Sequence, residues 1–236
     1  MHTAHCAAVV ACAAFASAAN AGISVTQNLT DAEVNALTSG LIAWEAEGRF
    51  GDRGGAAERE LGVGASTAQP QADEAQVNWA NNIAPPVGYT GYDYTITWDG
   101  LSVLTLDVTG VDATGAPVIE NLVYNLPDPA AVTDVYIRVA GNDFATSALS
   151  WEIDGMAGTQ IAGLGAAVNS VQTRISGSQL TDGFVLSGVF TFAWTDASLT
   201  NSSRPSWQIK AAVPAPGAAV LAFAAGASTL RRRRRS

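Results

Sequence analysis

A strict two-residue alternation in the middle of the chain constrains its fold more than any other feature. Tyr92, Tyr94, Ile96 and Trp98 fall on one side, and Asp93, Thr95, Thr97 and Asp99 on the other. That is the pattern of a strand with one buried face. Asp99-Gly100 then supplies a hairpin turn. A second alternating run follows, with Leu104, Leu106 and Val108 inward and Thr105, Asp107 and Thr109 outward. Further strands are expected over residues 118–125, 133–139, 148–153, 170–175, 184–195 and 206–212. The last of these buries Trp207 and Ile209 and exposes Gln208 and Lys210. Eight or nine short strands with no helix between them predict a mainly β fold, an antiparallel β-sandwich or jelly roll. No fixed-period repeat is present, so residues 22–212 are expected to form one domain.

One amphipathic helix is expected before the strands. Thr30-Asp31-Ala32-Glu33 has the form of a capping box, flanked by Leu29 and Val34 at the staple positions. Val34, Leu37, Leu41 and Trp44 continue a single apolar stripe, which Gly40 weakens. Residues 45–74, rich in Gly, Ala and charge, read as mostly irregular, with a short helix at 56–61.

The two ends read as addresses. Residues 7–19 are apolar and small, and Ala19-Asn20-Ala21 has the small-x-small form of a signal peptidase site. Cleavage is expected between Ala21 and Gly22, making residues 1–21 a signal peptide for the Sec translocon. Cys12 after Val9-Val10-Ala11 loosely imitates a lipoprotein box, which leaves lipidation open. At the other end, residues 213–236 divide into three parts. Val213, Pro214, Ala215, Pro216 and Gly217 form a Pro-bracketed hinge, an apolar run extends from Ala218 to Leu230, and Arg231, Arg232, Arg233, Arg234 and Arg235 close the tail. Residues 217–230 are fourteen without a charge. As a helix they span roughly 21 Å, against a hydrocarbon core of about 30 Å. The arginines would hold such a helix with its end in the cytoplasm. A transient inner-membrane stop fits best, and an ordinary tail anchor stays open. The apolar run argues against a nucleic-acid-binding tail.

Removing both ends decides which chemistries remain. Cys6, Cys12, His2 and His5 all lie in the expected signal peptide, so residues 22–212 contain no Cys and no His. Disulfides, thiol nucleophiles, His-based triads and the usual zinc sites are excluded from that body. Its seven basic residues face 21 acidic ones, a net of −14. Such a surface repels nucleic acid and favours divalent cations. Calcium needs only oxygen ligands, and Asp107 with Asp112, or Asn142 with Asp143, are the candidate donors.

Carboxylate-only catalysis would need a pair such as Glu58 and Glu60, or Glu152 and Asp154, but acids at this spacing ordinarily solvate a strand face. The body is therefore read as non-enzymatic. Arg204 and Lys210 are expected in structural salt bridges to an acid such as Glu58. Most of the six tryptophans fall on expected buried faces. Tyr89 and Tyr92, after Pro85-Pro86, are the better candidates for stacking on a sugar ring.

The tail, from Val213-Pro214-Ala215-Pro216-Gly217 through the apolar run to the arginines, resembles a PEP-CTERM sorting signal. Ala215 stands where that family carries Glu. The resemblance covers about a tenth of the chain. It implies processing by an exosortase-type transpeptidase and delivery to the cell surface or extracellular matrix of a Gram-negative-type bacterium, often in company with exopolysaccharide. The body resembles, more weakly, a choice-of-anchor domain, the W type looking nearest. The similar features are the opening helix, Gln76-Val77-Asn78-Trp79, Asn201-Ser202-Ser203-Arg204 and Gln208-Ile209-Lys210. No activity or ligand residue follows from that likeness. The expected role is structural or adhesive, with a carbohydrate-binding module as the alternative.

Overall fold

A computed structural model describes residues 22–39, 41–50, 59–65, 72–163, 166, 168–195 and 205–214. The expected signal peptide through Ala21 lies outside them, as do Ala215 and every later residue of the tail. Among the described residues no helix is long and apolar enough to cross a membrane.

The described chain runs β1 (Ser24–Leu29), α1 (Asp31–Thr38), β2 (Ile42–Phe50), β3 (Arg59–Gly64), β4 (Asp73–Gln76), β5 (Tyr92–Trp98) and β6 (Val103–Val111). It continues as β7 (Pro117–Asn125), β8 (Asp134–Ala140), β9 (Ala145–Ile153), β10 (Met156–Gly163), β11 (Ser170–Ser176), a 3₁₀ turn (Ser178–Asp182), β12 (Phe184–Trp194) and β13 (Ser206–Ala212). These strands form two antiparallel sheets. The larger has the order β1-β11-β8-β13-β2-β3-β4, and the smaller β10-β9-β12-β5-β6-β7. The molecule is mainly β, as the alternation requires.

The alternating runs pair as a hairpin, with Trp98 opposite Leu104 and Tyr94 opposite Val108. The connection is longer than a two-residue turn: the Asp99 amide donates to Val103 O, and Asp99 Oδ1 accepts from the amides of Leu101, Ser102 and Val103. A tighter turn joins β9 to β10, where Asp154 and Gly155 both take positive φ, as a two-residue turn of that hand demands.

Several expectations need correction. The helix stops at Thr38, and Trp44 lies in β2 rather than on a helical stripe. Leu37 is 42% exposed. Of the described residues in 45–74, most lie in strands β2, β3 and β4, and Arg59, Glu60 and Leu61 belong to a strand instead of a helix; residues 56–58 of the expected helix lie outside the described residues. The physical reason is that β2 alternates Trp44, Ala46, Gly48 and Phe50 with Glu45, Glu47 and Arg49. The small residues blur its apolar side, and the charges are buried.

The core lies between the sheets and is aromatic. Trp44, Trp79, Trp98, Trp207, Tyr92, Tyr94, Phe190 and Phe192 are all essentially inaccessible. Tyr92 stacks on Phe190 at 5.1 Å, Tyr94 on Trp207 at 5.8 Å, and Trp79 meets Tyr92 edge-on at 4.9 Å. Gly48 is required beside this seam, because a Cβ there would run into the Trp207 indole.

Candidate functional site

The outer face of the larger sheet is built by strand register. Across β11, β8, β13 and β2, Gln172 lies opposite Arg138, Arg138 opposite Gln208, and Gln208 opposite Glu47. One row along, Tyr136 faces Lys210 and Lys210 faces Glu45; in the row on the other side Ser206 faces Arg49, which faces Glu60. Because Ile137, Ile209, Ala46 and Leu61 point to the core, period two sends all these polar side chains outward.

Helix α1 docks on this face. Its capping box is complete: the Glu33 amide donates to Thr30 Oγ1 at 3.2 Å, and the Thr30 amide donates to Glu33 Oε2 at 2.8 Å. Asp31, the first helical residue, then reaches the sheet. Its carboxylate accepts from Arg138 Nε (3.2 Å), Ser170 Oγ (3.1 Å) and the Gln172 side-chain amide. Val34 packs with Tyr136 and Ala212 in a small second apolar cluster. Between helix and sheet lies a cavity of about 260 Å³, lined by Asp31, Val34, Asn35, Arg138, Gln172, Gln208 and Lys210.

Charges crowd the floor beside it. Lys210 Nζ is 2.9 Å from Glu45 Oε1, and Gln208 donates to Glu47 Oε2 at 3.0 Å. The Arg49 guanidinium lies 2.5 Å from Glu60 Oε2 and 3.4 Å from Glu47 Oε1. Glu45, Glu47, Arg49 and Glu60 are each at most 4% exposed. Glu45 Oε2 is buried and has no hydrogen-bond partner among the described residues. Burial pushes the Glu47 carboxyl up, against the pull of Gln208 and Arg49. For Asp31, burial acts in the same direction, but the Arg138 hydrogen bond and charge, with Gln172 and Ser170, hold the carboxyl below its ordinary value. The lining thus brings Asn35, Gln172, Gln208, Arg138 and Lys210 beside the Asp31 carboxylate, with Arg138 and Gln172 already donating to Asp31, Gln208 to Glu47, and Lys210 paired with Glu45.

Sequence reasoning did not find this face, since its carboxylates lie in β2 and β3. The available signal was Gln208 and Lys210 sharing the outward side of the last strand. Lys210 does make a salt bridge, but to Glu45; Glu58 and Arg204 lie outside the described residues.

The sites expected from sequence fare differently. Tyr92 cannot stack on a sugar: it is wholly buried, and its hydroxyl accepts from the Ala80 amide at 2.6 Å. Tyr89 is half-buried and packs edge-on against Tyr92 at 5.4 Å. Asp107 and Asp112 are not brought together as a calcium pair. Asp107 accepts from Asn121 Nδ2 at 2.6 Å on the face of the smaller sheet. Asp112 turns Oδ1 onto Thr114 and the Ala116 amide in the β6–β7 turn. Asn142 caps the β8–β9 turn by accepting from the Phe144 amide, with Asp143 exposed beside it. Among the described residues no three His, Cys, Asp or Glu side chains gather to hold a metal.

Glu152 lines a second depression with Ser150, Thr159 and Ser187, whereas Asp154 is used in the β9–β10 turn. Of the residues expected from sequence to belong to a signal peptidase site and a sorting hinge, Gly22, Val213 and Pro214 are among the described ones. The Val213 amide donates to Leu41 O at 2.9 Å.

No protein-family model matches the chain, and no curated protein matches it.

Proposed function

We propose that this is an exported protein of the bacterial surface or extracellular matrix, delivered by a C-terminal exosortase-type signal and serving a structural or adhesive role. The Sec translocon and signal peptidase act on residues 1–21, the inner membrane holds residues 218–230 transiently, and a transpeptidase acts at the hinge from Val213 to Gly217. The single observation that carries the reading is the order of parts at the end of the chain: hinge, apolar run, arginine cluster.

The fold is compatible with that order. The last described strand, β13, sits between β8 and β2 in the middle of the larger sheet and ends at Ala212. A hinge placed immediately after it leaves the sheet's strands upstream of any cut. Exosortase-linked exopolysaccharide is the proposed neighbour in the matrix.

Deleting residues 213–236 and fractionating the producing cells tests the reading. The truncated protein is expected to leave the surface fraction for the soluble exported fraction. Unchanged surface retention would overturn the sorting role of the tail.

A further inference from the structure

One end of the sandwich carries apolar side chains where turns are ordinarily polar. Strand register fixes which end it is. Ser24, Ser176, Asp134 and Ala212 lie in one row of the larger sheet, so the described residues next to both flanking segments share an end. Ser170, Ala140 and Ser206 form the row at the opposite end. Beyond that row the chain passes through the β4–β5, β8–β9 and β10–β11 connections. There Ile83 (54% exposed), Val87 (98%), Phe144 (54%) and Val168 (45%) face solvent. We propose that this tip docks on an uncharged lipid bilayer, with those four side chains entering its apolar layer.

Hydrogen bonds join these side chains into one built surface. Asn81 clamps its base: Oδ1 accepts from the Ile83 amide at 3.0 Å and the Trp194 amide at 3.1 Å, and Nδ2 donates to Trp194 O at 2.8 Å. The next residue, Thr195, donates its amide to Phe144 O at 3.0 Å, which ties the β8–β9 turn to the same strand end. Gly163, opposite Thr146, donates its amide to Val168 O at 2.9 Å and continues the line. Pro85 and Pro86 stiffen the β4–β5 connection. The Tyr89 amide then closes a turn on Pro86 O at 3.2 Å, with Gly88 at a φ of 83°, so that Val87 stands at the corner. Tyr89 packs edge-on against the buried Tyr92 and roots the turn in the core. Side chains held this way lose little freedom on docking.

Charge and size choose the partner. Residues 80–91, 141–145 and 163–169 carry one charge between them, Asp143, in a body of net −14. An ionic ligand finds nothing there to pair with except that acid. Four side chains fall well short of the roughly 20–30 residues a side that a stable protein interface uses. A second copy would also set two acidic bodies against each other. A bilayer demands no matching shape, and a modest apolar insertion holds reversibly, as a single acyl chain does. Trp194, half-buried beside Asn81, and Tyr89 are of the residue types that settle at a membrane–water boundary. The net charge selects an uncharged surface over an anionic one. The inference does not depend on how the protein is sorted.

Trp194 supplies the readout, because the other five tryptophans are buried and residues 1–21 and 213–236 contain none. The protein purified from its cells is mixed with phosphatidylcholine vesicles whose acyl chains are brominated, and tryptophan emission is followed. Emission should fall saturably, with half the change reached by about 1 mM lipid. Phosphatidylglycerol vesicles with the same chains should require at least about tenfold more lipid. Val87→Asp, at a solvent-exposed turn corner, should raise the requirement at least about tenfold and leave the melting temperature unchanged. Leu101→Asp makes the same charge change in the exposed β5–β6 turn at the other end, and should leave quenching as it was. Absence of quenching by phosphatidylcholine overturns the inference, and so does equal quenching by phosphatidylglycerol or quenching undiminished in Val87→Asp. Self-association that Val87→Asp abolishes, without quenching, overturns it in favour of a second copy. Protein held on vesicles by residues 218–230 alone binds without quenching Trp194, so that outcome overturns the inference and leaves the sorting reading standing.

Discussion

Arg49 is the residue on which the outer face of the larger sheet turns. Its guanidinium touches Glu60 and Glu47, its carbonyl accepts from Trp79 Nε1 at 2.8 Å, and all three charged residues are nearly inaccessible. Removing one partner of a buried ion pair strands the other, at a cost of about 3–5 kcal/mol. Arg49→Met should therefore destabilise the domain by about that much in urea unfolding. Glu47 should behave in the opposite way, and the sign follows from its carboxyl being pushed up from 4.5. A raised folded value means the native state binds the proton more tightly than the unfolded chain. The stability Glu47 contributes is present below pH 4.5 and is lost as pH rises through the folded value. Unfolding midpoints of Glu47→Gln and the parent should diverge above pH 4.5, with the gap moving in favour of the variant. A gap that moves the other way would show that Arg49 and Gln208 outweigh the cost of burial.

At the scale of elements, α1 and β2 show what the sequence discloses and what it hides. The capping box is a local code: four consecutive residues satisfy the helix's first amides, so Thr30 and Glu33 announce it without tertiary help. Thr30→Ala removes an acceptor from the Glu33 amide and should cost about 1 kcal/mol, read as a lowered melting temperature. A cost near zero would mean that Asp31 alone docks the helix. The other end of the helix was not legible. Leu41 and Trp44 continue its apolar spacing, yet Trp44 is taken by the aromatic core, where it lies 6.0 Å from Trp98. Alternation made β5, β6 and β13 legible because one side is apolar and the other polar. The same rule hid β2, which is buried on both sides, with charges on one and small residues on the other. The cavity beside α1 was hidden for a related reason. Its residues come from α1, β8, β11 and β13, and only strand pairing brings Gln172, Arg138 and Gln208 into line.

At the scale of the whole molecule, residues 22–212 form an acidic body without Cys or His, and the two segments that flank it are proposed to be addresses. The body needs neither disulfide nor metal to explain its core: two antiparallel sheets enclose a continuous aromatic seam from Trp44 to Trp79. A net of −14 is of the sign that repels polyanions. The central claim is that this body is released from both ends of the chain outside the cytoplasm. Intact-mass spectrometry of the protein recovered from the cell surface or surrounding matrix tests that claim most directly. The account predicts a polypeptide that begins at Gly22 and lacks Arg231 to Arg235, allowing for any group joined at the hinge. The full-length polypeptide, Met1 to the terminal arginines, recovered from the cytosol would contradict it.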